Sequence, residues 1–253
     1  MRIVRFIYRK KEYWGKFISP VRIRLYTTTP FQRNCYLINK TVALDEIKPL
    51  PPAIPSKIIL VGLNYKDHAR ELKMKLPREP IIFLKPSTAL LGMGGKILYP
   101  KIARRLDYEA ELALVIGKQA KHVPESRALD YVLGFSCLND VTARDIQKKD
   151  GQWTRSKSFD TFCPFGPWLT TGIDPDNLKV RSYLNGLLMQ DSSTSNFIFP
   201  VRRIVSFVSQ VMTLLPGDII STGTPAGVGP MRVGDVIEVE IEGLGRLANP
   251  VAV

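Results

Sequence analysis

Two glutamates stand two residues apart inside an otherwise apolar run, LDYEAELALVIG, residues 106–117. Side chains alternate along a strand, so Glu109 and Glu111 project from one face with Cα atoms roughly 6.5 to 7 Å apart, while Tyr108, Ala110, Leu112 and Leu114 take the other. The chain supplies its own control. In VIEVEIEG, residues 236–243, Glu238, Glu240 and Glu242 alternate with Ile237, Val239 and Ile241, the pattern of a strand with one wet face. On the first strand the glutamate face runs on into Ala113 and Val115, so both faces become apolar. Unpaired buried carboxylates cost several kcal/mol each, and two that point together are compensated either by a divalent cation or by paired arginines, here Arg104 and Arg105.

Asp140 ends the next apolar run, YVLGFSCLND, where it can supply a third oxygen. Three carboxylates with no Cys or His nearby favour a hard cation, Mg²⁺ or Mn²⁺ with Ca²⁺ left open, over zinc. His68 and Glu71 lie three residues apart at the start of a helical stretch and share a face, the spacing of a base whose partner fixes the imidazole tautomer; two solvent-facing helix residues are the alternative. His122, the only other histidine, falls in a polar loop.

These groups need elements to hold them. IILVGLNY reads as a short apolar strand running into a helix of about three turns, KDHARELKMKLP, that Pro77 closes. The segment 107–117 and YVLGFSCLND are strands, with a helical turn at 126–131 capped by Ser126 between them. Residues 141–168 keep no period over a length that marks a functional or mobile segment. LKVRSYLNGLLMQ is a hairpin turning at Asn185 and Gly186. Apolar positions 201, 204, 205, 208, 211, 212 and 215 predict one amphipathic helix ended by Pro216 and Gly217. DIISTGTPAGVGP is a strand entering a glycine-rich loop, and DVIEVEIEGLG a closing strand.

The N-terminal stretch reads as short strands with a turn at Gly15, and the proline-rich KPLPPAIPSK sets a boundary near residue 55. The expected organisation is therefore a small basic β subdomain, 1–55, and a larger domain, 56–253. Of the net charge of +13, residues 1–57 carry +9, with 12 Lys or Arg against 3 Asp or Glu. No nucleic-acid-binding signature accompanies that charge, so a solvated basic face is the preferred reading and nucleic acid an unlikely partner. Three cysteines without CxxC spacing give no disulfide framework. No signal peptide or membrane span is evident, which places the chain in the cytoplasm.

Taken together, VGLNYKDHAREL, FLKPSTALLG, LDYEAELALVIG, LNDVTARDIQ, RSKSFDTFCPFGPW and STGTPAGVGP resemble the fumarylacetoacetate hydrolase family in order and spacing over roughly residues 58–251. The resemblance implies an α+β, β-rich fold of the family's C-terminal-domain type, a mixed β-sheet roll, usually in a homodimer. It places a divalent metal on Glu109, Glu111 and Asp140. It makes His68 and Glu71 an acid/base dyad on a lid, Lys157 the cation facing the ligand's enolate or carboxylate, and Gln147 an orienting group for water or substrate. Lys85 is a further substrate-binding candidate, and Thr224 with the amides around Gly223 would receive a 2-oxo acid carboxylate.

The implied activity is that of a metal-dependent enzyme of 2-oxo acids, of acylpyruvate or oxo-dicarboxylate type, working through an enolate that the cation stabilises. Hydrolysis of a C–C bond is the favoured outcome, with 2-hydroxyhepta-2,4-diene-1,7-dioate isomerisation or oxaloacetate-type decarboxylation as the alternative. Asn64 stands near the place where the longer animal-type members carry an additional aspartate ligand, which argues against fumarylacetoacetate itself. The reading of another class is a non-catalytic protein that binds metal and oxo acid, or a basic-surface interaction protein.

Overall fold

The computed structural model describes residues 1–253. Near the N-terminus, β1 (Arg2–Tyr8), β2 (Lys11–Ser19), β3 (Arg22–Tyr26) and β4 (Leu37–Ala43) form an antiparallel meander, and β5 (Lys48–Leu50) returns to β1. Next come β6 (Ile58–Gly62), helix α1 (Lys66–Glu71), β7 (Ile81–Lys85), β8 (Leu90–Leu91), β9 (Ile97–Leu98), β10 (Leu106–Tyr108), β11 (Ala110–Ile116) and β12 (Val132–Asn139). The stretch without a period holds β13 (Thr142–Ala143), two short helices, α2 (Arg144–Asp150) and α3 (Thr154–Lys157), and β14 (Cys163–Thr170). The remainder comprises β15 (Lys179–Leu184), β16 (Leu187–Ser193), α4 (Val201–Val211), β17 (Ile219–Ser221), β18 (Gly229–Met231), β19 (Val236–Ile241) and β20 (Gly245–Ala252).

The fold is α+β and rich in β-structure. A mixed twelve-stranded sheet has the order β4-β3-β2-β1-β14-β12-β11-β17-β6-β7, with β5 and β8 attached at its side. It runs without a break across residue 55, because β1 pairs with β14 through Arg2↔Thr170 and Ile3↔Leu169. A five-stranded sheet, β16-β15-β19-β20-β9, and a three-stranded one, β13-β10-β18, complete the framework.

β11 is central in this arrangement and covered on both faces. Ala110, Leu112, Leu114 and Ile116 pack into the largest core, with Ile204, Val205 and Val208 of α4, whereas Ala113 and Val115 enter a second core with Ile3, Leu138 and Leu169. Leu112 and Leu114 are wholly buried, each contributing about 2 kcal/mol of transfer free energy. No helix is long and apolar enough to cross a membrane.

Several expected elements differ. Gly15 is no turn; β2 runs through it, and the chain reverses at Arg9 and Lys10, both with positive φ. Helix α1 stops after Glu71, about one and a half turns short of Pro77. Only Ala69 of α1 is buried, and Leu72, Met74 and Leu76 stand exposed, so nothing holds further turns against the protein. Helix α4 ends at Val211 rather than at Pro216, because Leu214 pairs as an extended residue with Ala120. The turn at Glu125–Tyr131 starts from Pro124, and Ser126 lies inside it without capping. The strand expected over 107–117 is interrupted at Glu109, and β20 rather than β19 closes the chain. The hairpin at Asn185 and Gly186 forms with both residues at positive φ.

Candidate active site

Register brings the three acids together. β11 and β12 pair with Ala110 opposite Asn139 and Glu111 opposite Leu138, so one step beyond the ladder Glu109 meets Asp140. That step is locked from both sides: Glu109 N donates to Asn139 Oδ1 at 2.9 Å and Asp140 N to Glu109 O at 2.9 Å. One carboxylate oxygen from each of Glu109, Glu111 and Asp140 lies within 4.8 Å of the others, and all three side chains are buried.

Each acid has a different set of partners. Lys157, the last residue of α3, donates to Glu109 Oε2 at 2.9 Å and to Asp140 Oδ2 at 2.5 Å. Arg144 Nη2 reaches Glu109 Oε1 at 2.5 Å, Nε reaches Asp107 Oδ2 at 2.8 Å, and Nη1 donates to Gln147 Oε1 at 2.6 Å. Arg105 pairs with Asp107 at 2.8 Å, and neither Arg104 nor Arg105 serves the two glutamates. Lys85 donates to Val141 O at 3.0 Å and to Phe162 O. Its Nζ also stands 2.6 Å from Asp140 Oδ1, a buried ion pair. Glu111 meets no cation; its Oε2 accepts from Ser221 Oγ at 2.5 Å and from Gly223 N at 3.0 Å.

These surroundings separate the two glutamates electrostatically. Burial would raise Glu109, but the charges of Lys157 and Arg144 overcome it and hold the carboxyl below the usual carboxylate range. Burial, then the negative charges of Asp140 and Glu109, push Glu111 up to about 8 against the hydrogen bond from Ser221. For Lys157 burial works to lower the ammonium, and the attraction of Asp140 and Glu109 raises it. Three hard oxygen donors, one of them on a buried glutamate without a counter-charge, fit a divalent cation such as Mg²⁺ or Mn²⁺.

The acids open into a cavity of about 400 Å³ that also carries His68, Lys157, Gln147 and Thr224. His68 Nδ1 is 2.8 Å from Glu71 Oε2, and Glu71 Oε1 accepts from Gly227 N at 3.1 Å, so the glycine-rich loop holds the pair in place. Gly223, at φ +92°, has no room for a side chain: a Cβ would lie 2.9 Å from Asn64 Cβ and 3.1 Å from Val61 O. Its amide serves Glu111. The Thr224 hydroxyl donates to Ala110 O at 3.0 Å, and the Thr224 N–H has no protein acceptor. Lys85 lies behind Asp140 rather than on the cavity wall. Asn64 faces away from the acids, bonding Thr222 O at 2.8 Å and both polar groups of the Phe199 backbone.

Reading by sequence missed Arg144, Asp107 and Trp153. Arg144 looks like any helix-surface arginine; its one signal is the three-residue spacing to Gln147 in TARDIQ. Trp153 stands edge-on to Phe83, with ring centroids 5.1 Å apart, and covers Gly62, where a Cβ would come within 2.6 Å of the indole. With Ile81 and Met74 it makes the opposite, apolar wall.

The family described as Fumarylacetoacetate (FAA) hydrolase C-terminal matches residues 57–252. The chain belongs to the fumarylacetoacetate hydrolase family, and it is an enzyme of that family. An uncharacterized protein of Archaeoglobus fulgidus is 59% identical over 208 residues, covering 82% of this chain and 83% of the relative. The mitochondrial oxaloacetate tautomerase Fahd2a of Rattus norvegicus is 44% identical over 212 residues, 79% of this chain and 68% of its own. Among solved structures, a 2-hydroxyhepta-2,4-diene-1,7-dioate isomerase from Mycobacterium marinum superposes with a TM-score of 0.93 at 41% identity, covering 100% of this chain and 98% of that one.

Proposed function

We propose that this enzyme binds Mg²⁺ or Mn²⁺ and catalyses proton transfer at C3 of a 2-oxo dicarboxylate, a keto–enol or double-bond isomerisation. The charge balance of the site carries this reading. With Glu111 ionised, the three buried acids Glu109, Glu111 and Asp140 are balanced by Arg144, Lys157 and Lys85, a net of zero, and Lys148 adds a further positive charge to the cavity lining. A bound dication would leave a surplus of two positive charges, which a dianion neutralises and a neutral ligand does not.

A dication held by Glu109, Glu111 and Asp140 supplies charge stabilisation to the developing enolate. The chain's own groups do the rest. His68, oriented through Nδ1 by Glu71, has Nε2 available to take or return the C3 proton. The Thr224 N–H is the free donor for the substrate's 1-carboxylate, and Gln147, its Oε1 occupied by Arg144, offers its NH₂ to the cavity. Lys157 pairs with Glu109 and Asp140 and, with Arg144, holds Glu109 ionised. Residues 1–55 would be a basic appendage to the catalytic part, 56–253, and the exposed apolar run Leu187–Met189 on the edge strand β16 gives a homodimer a surface to form on.

The second reading is C–C bond hydrolysis of an acylpyruvate. It is favoured by the same dyad, which can activate water as readily as a C–H bond, and by the apolar wall at Trp153 and Phe83, which suits an acyl tail. Proton NMR of oxaloacetate and acetylpyruvate in D₂O with Mn²⁺-free, Mg²⁺-loaded protein tests both. Fast exchange at C3 of oxaloacetate without acetate release from acetylpyruvate supports isomerisation; acetate release without exchange reverses the order of the two readings.

A further inference from the structure

We infer that β16 is the backplate of the active site, and that Gln190 and Ser192 on it are positioning residues, Gln190 for the acidic strand and Ser192 for the dyad helix. The inference rests on reading the acids and the dyad as the working groups. Side chains two apart on a strand share a face, and here Gln190 and Ser192 turn inward while Leu187, Leu188, Met189 and Asp191 are exposed.

Gln190 is wholly buried, and all its side-chain hydrogen bonds go to the site. Its Oε1 accepts from Ala110 N at 3.0 Å, and its Nε2 donates to Thr224 Oγ1 and Pro225 O, each at 2.9 Å. Ala110 is the residue between the two metal-facing glutamates. β17 pairs with β11 only from Ala113 to Val115, so on that side the ladder has ended before Ala110. Gln190 and Thr224 replace the missing strand: one takes the Ala110 N–H and the other donates to its carbonyl. The N–H belongs to the Glu109–Ala110 peptide and the carbonyl to the Ala110–Glu111 peptide, so these two bonds hold both peptides that flank Ala110 and with them the spacing of the carboxylates.

Ser192 acts two residues along. Its hydroxyl donates to Asp67 Oδ2 at 2.5 Å, Asn196 Nδ2 donates to it at 3.1 Å, and Asp67 Oδ1 accepts from His68 N at 2.8 Å. The first turn of α1 is thereby pinned to the strand that carries Gln190. Between them, Gly227, whose amide holds Glu71, packs against the Met189 carbonyl with no space for a Cβ. One strand therefore sets the acids, the carboxylate-receiving loop and the dyad relative to one another.

The two roles separate experimentally. In Gln190→Met, which preserves volume, the Mn²⁺ dissociation constant measured by electron paramagnetic resonance should rise about 10-fold or more. Thr224→Val, cutting the other bond to Ala110, should raise it in the same direction and serves if the first variant does not fold. Ser192→Ala should lower kcat about 10-fold with Mn²⁺ affinity unchanged. A purely structural role predicts a lower Tm with Mn²⁺ affinity and kcat both within twofold of wild type; that result, or equal loss of metal affinity in Ser192→Ala, overturns the inference. Wild-type protein that binds no Mn²⁺ contradicts the functional reading itself and takes the inference with it.

Discussion

Two stretches of this molecule carry glutamates at alternate positions, 109–111 at the start of β11 and 238–240 in β19, and they have opposite fates. On β19, Glu238 and Glu240 are partly exposed and share Arg246 of β20, at 3.4 and 2.5 Å, while Ile237, Val239 and Ile241 fill the core. At the start of β11 both Glu109 and Glu111 are buried, so the acids cannot use water and each must find another partner. Glu109 has Arg144 and Lys157; Glu111 has only a hydroxyl and an amide. Spacing alone therefore says nothing about chemistry. What covers the second face decides whether a carboxylate is a solubilising group or a ligand.

The arginines test this contrast most strongly. Arg144→Ala would leave Asp107 and Glu109 short of a buried counter-charge, and urea unfolding without metal should show a loss of about 3 to 5 kcal/mol. Glu111→Gln should cut Mn²⁺ affinity and turnover at least about 100-fold, above what a residue merely supporting a ligand costs, whereas Glu240→Gln should leave both unchanged. His68→Ala sharpens the division of labour: turnover should fall about 100-fold in a steady-state assay while Mn²⁺ still binds with wild-type affinity. Chelation should lower stability by about 2.7 kcal/mol relative to protein held at 100 times the metal Kd, read as a drop in Tm, and should not move Glu111→Gln. At the small end, Arg246→Ala should cost at most about 1 kcal/mol, because its pairs are open to solvent. An Arg246 effect as large as that of Arg144 would remove the distinction between the two strands.

Much of this contrast was legible in the residues. A strand apolar on both faces with acids near one end has few physical explanations, and the order of β11 and β12 followed from two apolar runs. The break at Glu109 was not legible, since it depends on the Asn139 side chain reaching across to the Glu109 amide. Helix lengths failed for a related reason: periodicity at Met74, Leu76, Met212 and Leu215 signals a possible face, and only the tertiary structure says whether anything packs on it. Arg144, Gln190 and Ser192 escaped because polar residues on short helices and edge strands are usually solvated, and their burial follows from packing between sheets. The dyad was visible by spacing, but the clasp on Glu71 comes from Gly227, 156 residues away.

Everything assigned to the site depends on Glu109, Glu111 and Asp140 holding one divalent cation. A crystal grown with Mn²⁺ and measured near its absorption edge tests it directly. A single anomalous peak is expected about 2 Å from one oxygen of each of the three side chains. Lys157 Nζ remaining between Glu109 and Asp140 with no peak there, at Mn²⁺ concentrations that support turnover, would contradict it.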